Sequence, residues 1–240
     1  MLRNVLRSAR APSELPMLLG TCMLALCTLA SAASALDALT SKDAAGGLRA
    51  ALSKGIDTAV AQLGAPDGFL KDPKVTIALP PALDKAERAL RMVGMGGEAD
   101  NLKAAMNHAA EMAVAEAKPV FKQALQKMTL ADAKSILTGG EDAGTQYFKQ
   151  ATSAALATKF KPIVARETAK LQLASRYNEY AGKAAGLGLI SAQDANLNDY
   201  VTSRALDGLF SRIADEERAI RKDPLGQTSS LIKKVFSALQ

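Results

Sequence analysis

Apolar residues recur at Leu48, Leu52, Ile56, Val60 and Leu63 and then give way to Gly64-Ala65-Pro66, a spacing that commits the segment to a helix with one buried stripe. The same spacing returns along the chain, at Leu83, Ala86, Leu90 and Val93, at Leu102, Met106, Ala109, Ala113 and Ala117, and at Val201, Ala205, Leu209 and Ile213. A last stripe, Leu231, Ile232, Val235, Phe236 and Leu239, belongs to a C-terminal helix that must dock on something. Composition agrees: alanine fills roughly a fifth of the chain, only 4% of residues are aromatic and tryptophan is absent, a balance that suits close-packed helices and argues against a β-barrel or sandwich. The expected architecture is all-α, a single-domain multi-helix bundle.

Gly94-Met95-Gly96-Gly97, Gly139-Gly140, and Gly186 with Gly188 are the expected helix stops, Thr129 with Asp132 is a capping box, and Asn196 with Asp199 is a further cap, as are Thr40 with Asp43 and Ser191 with Asp194. Pro119 should kink or divide a helix that begins near Glu98, and Pro162 should bend or restart one that runs from Glu141 or Asp142 to Tyr180. One segment breaks the pattern. Pro66-Asp67-Gly68-Phe69-Leu70 is turn-forming, and Lys74-Val75-Thr76-Ile77-Ala78-Leu79 alternates β-branched residues before Pro80-Pro81, so an extended loop or short strand is expected near residues 66–80. Arg212 with Glu216 and Glu217 with Arg221 are i, i+4 pairs, and 215–223 reads as a solvated charged face.

At the amino terminus Arg3, Arg7 and Arg10 precede a run from Leu15 to Leu36 without a charge, whose densest apolar part is about 14 residues, short for a bilayer span. Ala33-Ser34-Ala35 fits a small-residue cleavage site, so residues 1–35 read as a secretory signal peptide and 36–240 as the folded domain, with retention as a membrane anchor the competing reading. Cleavage removes Cys22 and Cys27, leaves no disulfide, and lowers the net charge from +6 to +4. That mild basicity allows peripheral contact with an anionic membrane but, without an arginine block or interleaved aromatics, gives no support to a nucleic-acid partner.

Several segments together resemble one family. Pro66-Asp67-Gly68-Phe69-Leu70 followed by Ile77-Ala78-Leu79-Pro80-Pro81, Ile136 to Asp142 with Thr145-Gln146-Tyr147-Phe148, Phe160-Lys161-Pro162-Ile163-Val164, and Asp199-Tyr200-Val201 with Ala205 to Phe210 occur in the order seen in an exported bacterial family known as domain of unknown function 4197. The resemblance implies a mostly helical, exported envelope protein of Gram-negative bacteria, and carries no catalytic residue, cofactor or substrate.

The residues by themselves give few chemical leads. No serine-hydrolase, zincin or Walker motif is present. Gly94 to Ala99 fits G-x-G-x-x-A but follows a helix rather than a strand, and Ser230-Leu231-Ile232-Lys233 fits S-x-x-K in a helix-capping context. Asp194, Asn196, Asn198 and Asp199 resemble the start of a calcium loop, yet the required glycine is Asp199 and the closing glutamate is Ala205, which favours helix capping. The lone His108 sits beside a stripe with no evident partner. The remaining constellation joins Glu141 and Asp142 at a helix start, where they complement the dipole or act as an acid site, to Tyr147 and Phe148 and to the Asp67 and Phe69 loop. These six residues are the expected ligand-binding set, with no metal and no cofactor. The expected function is a non-catalytic binding or interaction module of the periplasm with an envelope protein as partner. A carrier of a lipid or other hydrophobic small molecule is the alternative, and an enzyme with an acidic site at Glu141 and Asp142 the third reading.

Overall fold

The computed structural model describes residues 41–237 apart from 82, 84–86, 88–90, 93, 95, 187–193 and 228. The segment 1–35, the Ser191 cap and most of the helix expected over Leu83–Val93 lie outside these residues. Eight helices are described: α1 (Ser41–Leu63), α2 (Gly96–Val114), α3 (Ala117–Lys127), α4 (Leu130–Thr138), α5 (Ala143–Thr168), α6 (Gln172–Gly186), α7 (Leu197–Lys222) and α8 (Ser230–Ser237). No strand occurs among the described residues, so the fold is all-α as expected.

The two 26-residue helices α5 and α7 pack on each other and form the spine, with α1 and α2 laid against them and α3 and α4 filling in beside α1 and α5. The stripes read from the sequence face inward: Leu48, Leu52, Ile56, Val60 and Leu63 of α1 and Leu102, Met106, Ala109 and Ala113 of α2 are all buried. Four phenylalanines, Phe69, Phe121, Phe148 and Phe160, are fully enclosed. Phe121 meets Phe148 and Phe210 edge to face, at 5.4 Å and 6.1 Å between ring centroids, which ties α3, α5 and α7 together.

Helix α1 is described from Ser41, seven residues before its first large apolar side chain, and in that stretch Gly46 and Gly47 form the seat of α8. A Cβ on Gly47 would stand 2.4 Å from Val235 Cγ2 and 2.9 Å from the Leu231 carbonyl oxygen. The apolar C-terminal stripe therefore docks on the first helix. The Thr129–Asp132 capping box forms in full at the start of α4, and Asn196 accepts the N–H groups of Asn198 and Asp199 at the start of α7.

The helix from Gly96 is divided ahead of Pro119 as expected, whereas Pro162 does not interrupt its helix. Pro119 stands in the first turn of α3, after a break at 115–116 that separates it from α2. Pro162 lies inside α5, which continues to Thr168; the division comes at 169–171, where the Thr168 hydroxyl bonds the Val164 carbonyl (3.0 Å) and the Asn198 side chain (2.6 Å).

Candidate functional site

The segment 66–80 is irregular in backbone but fixed by two side chains one turn apart on α2. The Glu111 carboxylate accepts the N–H groups of Phe69 (3.0 Å), Leu70 (3.3 Å) and Asp67 (3.3 Å). Asn107, fully buried, accepts the Ile77 N–H through Oδ1 at 2.8 Å and donates through Nδ2 to the Ile77 carbonyl at 2.9 Å, so its amide mimics a neighbouring strand. Buried polar groups without partners are costly, and both α2 side chains here supply hydrogen-bond partners, Glu111 as acceptor and Asn107 as acceptor and donor, to a loop that has no ladder of its own.

Asp67 and Phe69 serve this anchorage. Asp67 takes the left-handed conformation (φ 63°) that opens the turn, and its carboxylate pairs with Lys71 at 2.7 Å and with His108 at 3.5 Å. The Lys71 hydrogen bond holds the Asp67 carboxyl below its ordinary range. Phe69 is fully buried over Gly208, where a Cβ would come within 2.8 Å of its ring.

The second cluster forms around the start of α5. Asp142 is the cap residue by position, yet its side chain makes no capping bond and accepts instead from Gln146 Nε2 at 3.0 Å. The capping is done from α7: Glu217 accepts the N–H groups of Gly144 (3.0 Å) and Thr145 (2.8 Å) and the Thr145 hydroxyl (2.9 Å). It also pairs with Arg221 at 2.9 Å, whose guanidinium donates to the Ile136 carbonyl and lies 5.6 Å from the Phe236 ring centroid. The reading of 215–223 as a solvated face is corrected here, since Glu217 is only 5% exposed. The expected Arg212–Glu216 pair is replaced by one between Arg212 and Asp72 that clamps the loop onto α7.

Glu141 is exposed, Tyr147 half-buried and Phe148 in the core, with the Tyr147 and Phe148 rings edge to face at 5.6 Å. Asp142 and Tyr147 share an open hollow of about 480 Å³ with Asp132, Ser135, Gln146, Gln150 and the Gly139-Gly140 turn. Burial raises the Tyr147 phenol above its ordinary range, so it keeps its proton at neutral pH, and the N–H and hydroxyl of Thr129 hold the Asp132 carboxyl low. The hollow thus offers hydroxyl and amide donors beside carboxylate acceptors, suited to a polar ligand. Asp67, Phe69, Glu141 and Phe148 are not part of its lining.

A second hollow, of about 440 Å³, runs between Lys74–Ala78 and the Tyr200, Arg204, Asp207, Gly208 and Ser211 side of α7. It had no signal in the sequence beyond the alternation of 74–79. By contrast, the cleft lined by Ala51, Leu52, Gly55, Ile213, Glu217, Ile220 and Phe236 measures about 10 Å³, roughly one water probe. Among the described residues no three His, Cys, Asp or Glu side chains are grouped to hold a metal ion, and no helix is long and apolar enough to cross a membrane.

An all-helical bundle whose one extended segment is strapped to α2 and α7 by buried carboxylate, amide and guanidinium groups defines the structural class. Residues 38–237 match the family described as protein of unknown function DUF4197, and the chain belongs to that family. No curated protein and no solved structure matches the chain.

Proposed function

We propose that this protein is a non-catalytic interaction module of the bacterial envelope, exported by residues 1–35 and working in the periplasm. The observation that carries the reading is where the acids and aromatics are spent. Glu111 and Glu217, the two most buried carboxylates among the described residues, accept three and two backbone N–H groups, and Phe121 packs edge to face on Phe148 and Phe210. Carboxylates so engaged hold the shape of the fold. What the chain leaves available is its outer surface, with two open hollows of mixed polarity. The carrier alternative draws no support from the apolar cleft between α1, α7 and α8, whose volume of about 10 Å³ is far below that of a ligand pocket.

Native mass spectrometry of the protein from the envelope fraction of its own host, paired with crosslinking in living cells, tests this. The expected result is a chain beginning at Leu36, free of small-molecule adducts, with a defined protein partner in the crosslinked sample. A reproducible lipid-sized adduct would favour the carrier, and a chain that keeps residues 1–35 would overturn export by cleavage.

A further inference from the structure

We propose that the outer edge of segment 76–78 takes up an extended strand of a partner polypeptide, paired through main-chain hydrogen bonds in the groove beside α7. This rests on the interaction reading above and names the partner's chemical class. Residues 73–75 close a turn in which the Asp72 carbonyl accepts the N–H groups of Val75 (3.1 Å) and Thr76 (2.8 Å); beyond it Ile77 and Leu79 are buried while Ala78 is exposed, the alternation of an extended backbone lying with one face on a core. In such a backbone the N–H and C=O of one residue point to the same edge, and those of its neighbours to the opposite edge. Both main-chain groups of Ile77 are taken by Asn107. The edge carrying Thr76 and Ala78 therefore faces α7, where the Tyr200 hydroxyl donates to the Ala78 carbonyl at 3.2 Å.

Two groups on that edge, the Thr76 C=O and the Ala78 N–H, have no partner among the described residues. They flank Ile77 at the spacing at which one residue of an added parallel strand donates to the first and accepts from the second. The groove has room for it: its wall from Tyr200 to Ser211 on α7 is about 16 Å long, matching about five strand residues.

Charge does not select the occupant. Lys74 is paired with Asp215 at 2.7 Å, and Arg204 with Asp207 at 3.5 Å while lying 5.2 Å from the Tyr200 ring centroid. With these charges matched inside the protein, the unsatisfied groups are main-chain ones, and recognition by them favours an extended polypeptide of tolerant sequence. Pro73 on one side and Pro80-Pro81 on the other keep the open edge short, which limits self-association through it.

The test is an amide NMR titration of the protein, as its host processes it, with a capped alternating valine–threonine pentapeptide and with the same peptide N-methylated on its main chain. The expected result is a set of shifts confined to 74–78 and 200–211, saturating near about 1 mM, absent with the N-methylated peptide. Ala78→Pro deletes the N–H without removing an intramolecular bond, and should weaken binding at least about tenfold, or about 1.4 kcal/mol. Should that variant lose its helical circular dichroism, Ser211→Trp, at an exposed position on the wall, fills the groove instead and should also block binding. Equal binding of the N-methylated peptide, shifts elsewhere, no shifts, or unimpaired binding by the folded variants would each overturn the strand site. A photo-crosslinker at Ser211 and at Gln150 in the host separates the two readings: a protein partner at Gln150 alone preserves the interaction module while overturning the strand site, and partners at neither position count against both.

Discussion

Glu217 Oε2 accepts both the N–H of Thr145, at 2.8 Å, and its hydroxyl, at 2.9 Å, across 72 residues of sequence. A carboxylate that enters a helix start from another helix joins the two more tightly than a local cap. It neutralises orphan donors that the chain's own Asp142 leaves unserved.

Glu217→Ala should therefore cost about 3–5 kcal/mol, because it strips the start of α5 of its acceptor and removes the charge with which the half-buried Arg221 pairs. Glu217→Gln keeps an acceptor oxygen and should lose less. Urea unfolding followed by circular dichroism ranks the two; equal stability of Glu217→Ala and the parent would contradict the capping role.

Asn107→Leu should destabilise by about 2–4 kcal/mol, since it orphans the buried N–H and C=O of Ile77 together. Hydrogen exchange offers a sharper readout: the Ile77 amide should lose its protection while amides in the middle of α5 keep theirs relative to global stability. Uniform loss across both would mean that the strap is not a local element.

Gly208→Ala should cost about 1–3 kcal/mol, because the added methyl would meet the Phe69 ring. Pairing it with Phe69→Leu should return part of that loss, and a double-mutant cycle of purely additive changes would refute the contact.

Burial raises the Glu216 carboxyl above its ordinary value of 4.5, with the nearby Asp215 adding to the shift and Arg212 and Lys54 opposing it. A folded-state value above the unfolded one means that the folded protein binds the proton more tightly. The relative stabilisation from this group is then complete below pH 4.5 and lost as pH rises through the folded-state value. Glu216→Gln should accordingly raise the melting temperature at pH 7, and the gain should shrink as pH falls toward 4.5. A gain that stays constant with pH would show that charge is not its source.

Glu141→Ala and Asp142→Ala should each change stability by less than about 0.5 kcal/mol, since Glu141 is exposed and Asp142 bonds only the exposed Gln146. Loss of partner crosslinking in either variant, with stability intact, would move the functional surface to the hollow around Tyr147.

Local chemistry was legible in the sequence, and chemistry at a distance was not. The Thr129–Asp132 box, the Asn196 cap and the inward stripes of α1, α2 and α7 depend on neighbours within a few positions, and each has the form its spacing implied. Glu217 and Arg221 were read correctly as a pair but given the wrong surroundings, because i, i+4 spacing says nothing about what packs over it. Asn107 and Glu111 lie between the apolar positions of α2 and carry no motif; only the arrival of an extended segment from 30 to 44 residues upstream gives them work. Of the six candidate binding residues, Asp142 and Tyr147 share a hollow, while Asp67 and Phe69 anchor the loop and Phe148 fills the core. A glycine-rich turn beside acids and aromatics looks the same in sequence whether it serves a ligand or the fold.

The docking of α8 on Gly46 and Gly47 bears on the order of events during synthesis. With Val235 against Gly47 and Lys54 bonded to Gln227 across 173 residues, the earliest described helix is completed by the last one. Residues near 50 leave the ribosome with the surface that α8 will cover still open, at about 5–20 residues per second. For about 10–40 s that apolar face has no native cover, an interval in which a chaperone can hold the chain before it closes on itself.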